Sequence, residues 1–171
     1  MNIIEAKIVF CNNGSSIPLK RYASNPSMQT IEFAGLEGYD ERSRLLRELL
    51  IELLPQLNDA FVRRCDICID NKRYPNHLVN KLLEKRRPFP YINTTYYKTE
   101  KEKKTNNTMD IKLYDKSIEA KLDYPLYRVE FVFKGAYFQN KKLSDLNYIF
   151  KKCQKSIFKF SCLDCQIKLL S

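Results

Sequence analysis

Three segments of this chain alternate apolar and charged residues so regularly that they leave little choice of local structure. They are FVRRCDICID (61–70), MDIKLYDK (109–116) and LYRVEFVFK (126–134). In a β-strand successive side chains point to opposite faces, so each run divides into two sets. One side carries Cys65, Ile67, Ile69, Met109, Ile111, Leu113, Tyr127, Val129, Phe131 and Phe133. The other carries Arg64, Asp66, Cys68 and Asp70, then Asp110, Lys112, Tyr114 and Lys116, then Arg128, Glu130, Val132 and Lys134. A helix-period pattern cannot produce this division. The runs predict neighbouring strands of one sheet, with an apolar face for helices and a second face rich in charge.

The rest of the chain supplies what such a sheet needs. IIEAKIVFC (3–11), TIEFAGL (30–36) and YINTTYYKT (91–99) read as further strands, and NNGSSIPLKRYASNPSMQ between the first two reads as a loop. In DERSRLLRELLIELLPQL, Leu45, Leu46, Leu49, Leu50, Leu53 and Leu54 recur at helical spacing and predict a core-facing stripe. NHLVNKLLEKRR (76–87) predicts a short basic helix closed by Pro88 and Pro90. In the tail, Leu143, Leu146, Phe150, Cys153 and Ile157 form an apolar stripe, while Lys151, Lys152, Lys155 and Lys159 fall largely off it. The charged stretch 100–107 is expected to be a disordered loop. The expected fold is α+β: an antiparallel-rich sheet of five or six strands, helices on one face, the other face open. We expect a single domain over 1–171, with the sheet at about 28–138 and a basic helical region at about 140–171.

Charge then narrows the partners. The 171 residues contain 30 Lys and Arg against 20 Asp and Glu, a net +10, which favours polyanions. There is no apolar run of membrane-spanning length, and the first ten residues lack the pattern of a signal peptide. The expectation is a soluble intracellular protein with no membrane contact. Cys65 and Cys68, with Cys162 and Cys165, have the spacing of a four-thiolate zinc site, but a strand puts residues three apart on opposite faces. Buried reduced thiols are expected instead. His77 is the one histidine, so Cys–His catalysis and multi-histidine metal sites lack support. Tyr96 and Tyr97 are candidates for stacking on unpaired bases, although one of an adjacent strand pair faces the core.

The charged face admits two readings. Half-solvated antiparallel sheets alternate for structural reasons alone, with weak surface ion pairs between strands. Alternatively, Asp66 or Asp70 with Glu130 offers hard oxygen ligands for Mg²⁺ or Mn²⁺. Tyr114 is then a candidate nucleophile, and Lys112 and Lys116 supply positive field to the phenol or to a scissile phosphate.

RRCDICID resembles the R-[IV]-D-hydrophobic-x-x-D strand of rolling-circle replication initiators from plasmids and filamentous phages. IKLYDKSIEA…YPLYRVEFVFKG resembles that family's hydrophobic-Y-x-K and R-[VIY]-E-hydrophobic-x-hydrophobic-K pair, and the similarity spans roughly 28–138. The resemblance implies a DNA strand-nicking and joining enzyme that attacks an origin phosphodiester with a tyrosine. It leaves a 5′-phosphotyrosine and a free 3′-hydroxyl. Residue by residue, it assigns Asp66, Asp70 and Glu130 to a Mg²⁺ or Mn²⁺ site, Tyr114 and Lys116 to catalysis, and Arg64, Lys112, Arg128 and Lys134 to DNA. Tyr137 is the alternative nucleophile. The paired histidines of related nickases are absent, and family members usually continue further, so a short or truncated member is implied. The implied partners are origin DNA, single-stranded or as a hairpin, with a homodimer and a host helicase or polymerase left open. The alternative is a non-enzymatic nucleic-acid-binding module using the same basic face.

Overall fold

The computed structural model describes residues 3–13, 21–22, 25–33, 41–98 and 109–163, with side chains over 44–45, 48–98 and 109–163. The strands are β1 (Ile3–Asn13), β2 (Arg21–Tyr22), β3 (Asn25–Phe33), β4 (Phe61–Asn71), β5 (Arg87–Tyr91), β6 (Thr94–Lys98), β7 (Met109–Asp115) and β8 (Tyr127–Lys134). They form one sheet in the order β2-β3-β1-β4-β8-β7-β6-β5, and every pairing is antiparallel. The helices are α1 (Glu41–Leu53), α2 (Asn76–Leu83), α3 (Lys116–Ala120) and α4 (Leu146–Ser161). The protein is therefore α+β.

The predicted division of the strands holds. Cys65, Ile67 and Ile69 of β4, Val129, Phe131 and Phe133 of β8, and Ile111 and Leu113 of β7 join one buried cluster with Leu78 and Leu82 of α2 and Ile149, Phe150, Cys153 and Ile157 of α4. Each fully buried aliphatic or aromatic side chain here contributes about 1.5–3 kcal/mol by leaving water. That burial fixes the register, because a one-residue slip would turn every charged side chain into this layer.

The sheet is larger than five or six strands for two local reasons. Part of the segment read as a loop between β1 and β3 is strand, both β2 and the first residues of β3. RPFPY, read as the end of a helix, is the edge strand β5, paired to β6 from Arg87↔Lys98 to Tyr91↔Thr94. An edge tolerates proline, because one side of the strand needs no donor.

Helix α1 also departs from expectation. Leu50 is fully buried, but Leu45 and Leu49 are 53% and 45% exposed. Its leucines span about half the helix circumference at 100° per residue, wider than the contact centred on Leu50. The charged stretch 100–107 lies outside the described residues. Among the described residues, no helix is long and apolar enough to cross a membrane.

Candidate functional site

The second face of β4, β8, β7 and β6 forms a grid whose rows are set by register. One row runs Asp66–Val132–Asp110, the next Cys68–Glu130–Lys112–Tyr96, and the third Asp70–Arg128–Tyr114–Thr94. The grid brings together Asp66, Asp70, Glu130, Lys112, Arg128 and Tyr114, contributed by three strands. Arg64 and Lys134 face each other at its margin.

This face is not a wet surface, even though the described helices pack on the other side. Asp66 is 1% exposed, and Arg128, Cys68 and Val132 are 2% exposed. Buried charge must be paired, and each cation here has a carboxylate. The Arg128 guanidinium donates two hydrogen bonds to Asp70, both 2.7 Å. Arg64 donates two to Asp66, at 2.7 and 2.6 Å. Lys112 donates to Glu130 at 3.2 Å, and Lys134 to Asp110 at 2.5 Å. Bidentate arginine–carboxylate geometry is the strong form of such contacts.

One carboxyl is not fully compensated. Asp66 is pushed up to about 6, first by burial, with Arg64 opposing and the charge and hydrogen bond of Glu130 reinforcing the rise. Glu130 lies one register row from Asp66 on the neighbouring strand, so its charge adds to the rise at Asp66. Carboxylates suit a hard divalent cation, but Asp66 and Glu130 already accept from Arg64 and Lys112. Asp66 and Asp70 are alike in this respect: both oxygens of each accept from an arginine, Arg64 and Arg128. Among the described residues, no group of three or more ligating side chains converges.

Tyr114 stands across from Arg128 on one side and Thr94 on the other. Its phenol is raised well above its ordinary value by burial and then by the charge of Glu130, against the lowering effect of Arg128. Left alone at neutral pH it is a protonated, weak nucleophile. Lys116 is not on this strand face. β7 ends at Asp115, whose carboxylate accepts from the Ser117 N–H at 2.9 Å and caps α3, so Lys116 begins a helix. Its ammonium pairs with Glu119 at 2.9 Å. Tyr137 follows β8 on the helix side, where its hydroxyl donates to the Lys152 carbonyl and shares a hydrogen bond with Ser156, both at 2.9 Å.

The register adds one tyrosine to the face. Tyr97 is buried in the core, so Tyr96 points the other way, across from Lys112 and one strand further from Glu130. The Lys98 ammonium lies 5.3 Å from its ring centre. Cys65 and Cys68 divide as strand geometry requires: Cys65 joins the core cluster that also holds Cys153, while Cys68 occupies the charged grid. Cys165 lies outside the described residues.

No protein-family model matches this chain, and no curated protein matches it. Among solved structures it is similar to a rolling circle replication initiator protein from Geobacillus stearothermophilus, at 16% identity and a TM-score of 0.44. The match covers 81% of this chain and 60% of that one, so this chain spans less than two thirds of the other's length.

Proposed function

We propose that this protein nicks and rejoins DNA as a replication initiator of the rolling-circle kind, with Tyr114 as the attacking group. The observation that carries the reading is the grouping, on one sheet face, of Tyr114 with Lys112, Arg128 and Glu130, with Asp66 one register row beyond Glu130. Glu130 is close enough to Tyr114 to raise the phenol. The resemblance of the three strand motifs to that family supports the same reaction.

In the reaction, the Tyr114 oxygen forms a bond to phosphorus as the bond from phosphorus to the 3′-oxygen breaks. The phenol proton passes to one ionised carboxylate of this face, Asp66 or Glu130, and returns to the departing 3′-oxygen, leaving a 3′-hydroxyl and a 5′-phosphotyrosine. A carboxyl poised at about 6 suits both directions near neutral pH. A Mg²⁺ or Mn²⁺ ion would be held by Asp66 and Glu130 only on displacing Arg64 or Lys112, and there it would polarise the phosphate and neutralise its developing charge. Lys116 reaches the phosphate at little cost, because its partner Glu119 is 62% exposed and the pair is weak. Arg128 and Arg64, fixed by their carboxylates, set the positive field over the strand.

A specific observation favours a second reading of the nucleophile. Tyr96 lies on the same face across from Lys112, one strand nearer the sheet edge than Tyr114. The two are separated by incubating the protein with a single-stranded origin oligonucleotide and Mn²⁺ and scoring the covalent adduct. Tyr114→Phe is expected to abolish the adduct, with DNA affinity within about three-fold of the parent. An adduct retained in Tyr114→Phe and lost in Tyr96→Phe transfers the role to Tyr96. DNA binding with no adduct from the parent protein, with or without metal, reduces the face to a binding module.

A further inference from the structure

The cations outside the grid concentrate on α4, whose sixteen residues include four lysines and no acid. Its inward side is filled by Ile149, Phe150, Cys153 and Ile157. At 100° per residue, Tyr148, Lys151, Lys155, Phe158 and Lys159 fall within about 100° of one another on the opposite side. The three lysines are exposed, and Tyr148 and Phe158 are 54% and 55% exposed. Lys151, Lys155 and Lys159 follow one another at four-residue intervals, a rise of about 6 Å each.

None of these three lysines has an ion pair among the described residues, whereas lysines around them do. At one end Lys141 pairs with Asp145, and at the other Lys81 pairs with Glu84. Solvated helices commonly intersperse both signs, so that i to i+4 pairs offset repulsion. This helix keeps like charges one turn apart with no internal compensation, which costs stability and leaves the field directed outward.

We propose that the outer side of α4 is a second nucleic-acid contact, lying on the helix layer and separate from the charged sheet face, that holds a phosphodiester backbone along Lys151, Lys155 and Lys159. Tyr148 and Phe158 flank the lysines with ring faces on which unpaired bases can stack. The contact is electrostatic and independent of sequence, because lysine ammonium groups on an exposed helix present charge without a fixed hydrogen-bond fork. It does not depend on whether the sheet face cleaves DNA.

The test is the salt dependence of binding to a single-stranded oligonucleotide and to a duplex of arbitrary sequence, measured by fluorescence anisotropy from 50 to 300 mM NaCl. Each lost phosphate contact makes the slope of log K against log salt shallower by about 0.7 for single strands and 0.9 for duplex. The combined change Lys151→Gln, Lys155→Gln and Lys159→Gln is expected to flatten the slope by about 2–3 and weaken binding roughly 10- to 100-fold at 0.1 M salt. Arginine at the same three positions is expected to restore both. An unchanged slope overturns the proposal, as does a parent protein that binds neither nucleic acid at low salt. Lysine-dependent binding to phosphatidylserine vesicles, with DNA binding unaltered, assigns the stripe to a membrane surface and also overturns it. A parent protein that forms no covalent adduct, with the slope effect intact, would reject the nicking reaction and leave the α4 contact standing.

Discussion

The charged sheet face and the outer side of α4 use similar numbers of cations in opposite ways. On the sheet, Arg64, Lys112, Arg128 and Lys134 are each held within 3.2 Å of a carboxylate. On α4, Lys151, Lys155 and Lys159 have no such partner among the described residues. A phosphate approaching the sheet must compete with carboxylates for arginines already engaged, so only a well-placed phosphate gains. A phosphate approaching α4 meets bare ammonium groups and displaces only water and counterions. On the proposed reading, the first arrangement selects geometry and the second supplies affinity. The excess of positive charge in the composition says nothing about which is which; pairing does.

The sharpest way to break the comparison is to remove one partner from the most buried pair. Arg128 and Asp70 are 2% and 1% exposed at their side chains. Asp70→Ala leaves a guanidinium buried without that carboxylate, and about 3–5 kcal/mol of unfolding free energy should be lost. Urea denaturation followed by circular dichroism reads this directly. A loss below about 1 kcal/mol would mean that water reaches Arg128 freely and that the sheet face is a solvated surface.

The second test concerns pH. A carboxyl raised from its ordinary 3.8 to about 6 binds a proton more tightly folded than unfolded. Its contribution is therefore fully present below about pH 4 and is lost as pH rises through 6. About two units correspond to roughly 3 kcal/mol of stability forfeited by pH 7. Asp66→Asn cannot titrate, so its stability relative to the parent should rise between pH 4 and 7, measured with a chelator present. A difference that stays flat across that window would show that Asp66 is ionised without cost, and its role as a proton acceptor near neutral pH would fall with it.

These tests also separate what the sequence made legible from what it did not. The two faces of β4, β7 and β8 could be read because alternation is a local property of strands buried on one side. The partners of the charges could not. Asp70 reads as a metal ligand by position, yet whether it meets an ion or Arg128 depends on a cross-strand register that no single segment encodes. The place of Tyr96 on the grid is hidden for the same reason. β5 was lost because prolines argue against strands everywhere except at an edge, and edge position is a tertiary fact. Lys116 was misplaced although a signal was present: Asp115 followed by Ser117 is an N-cap pattern that ends the alternation.

That cap gives the third and smaller effect. Asp115 turns the chain out of the sheet immediately after Tyr114, and its oxygen accepts from both the backbone N–H and the hydroxyl of Ser117. Asp115→Ala should cost about 1 kcal/mol. Its consequence for the site should be larger than for the fold, because Lys116 would lose the helical start that directs it. Adduct formation should fall by more than the stability loss alone predicts at 25 °C. Equal activity from a folded Asp115→Ala protein would remove Lys116 from the reaction.

The smallest effect on stability is the one that completes the contrast. Lys155 is exposed and makes no ion pair among the described residues, and its neighbours Lys151 and Lys159 lie one turn away on either side. Lys155→Gln removes repulsion between like charges and no favourable contact, so unfolding free energy should change by less than about 0.5 kcal/mol, in the stabilising direction. The sign is the informative part. A charge retained on a helix that would be steadier without it is held there for something outside the fold. A destabilising Lys155→Gln would mean instead that the lysine stem covers apolar surface of α4. The stripe would then be a packing device, and the contrast between paired and unpaired charge would lose its functional meaning.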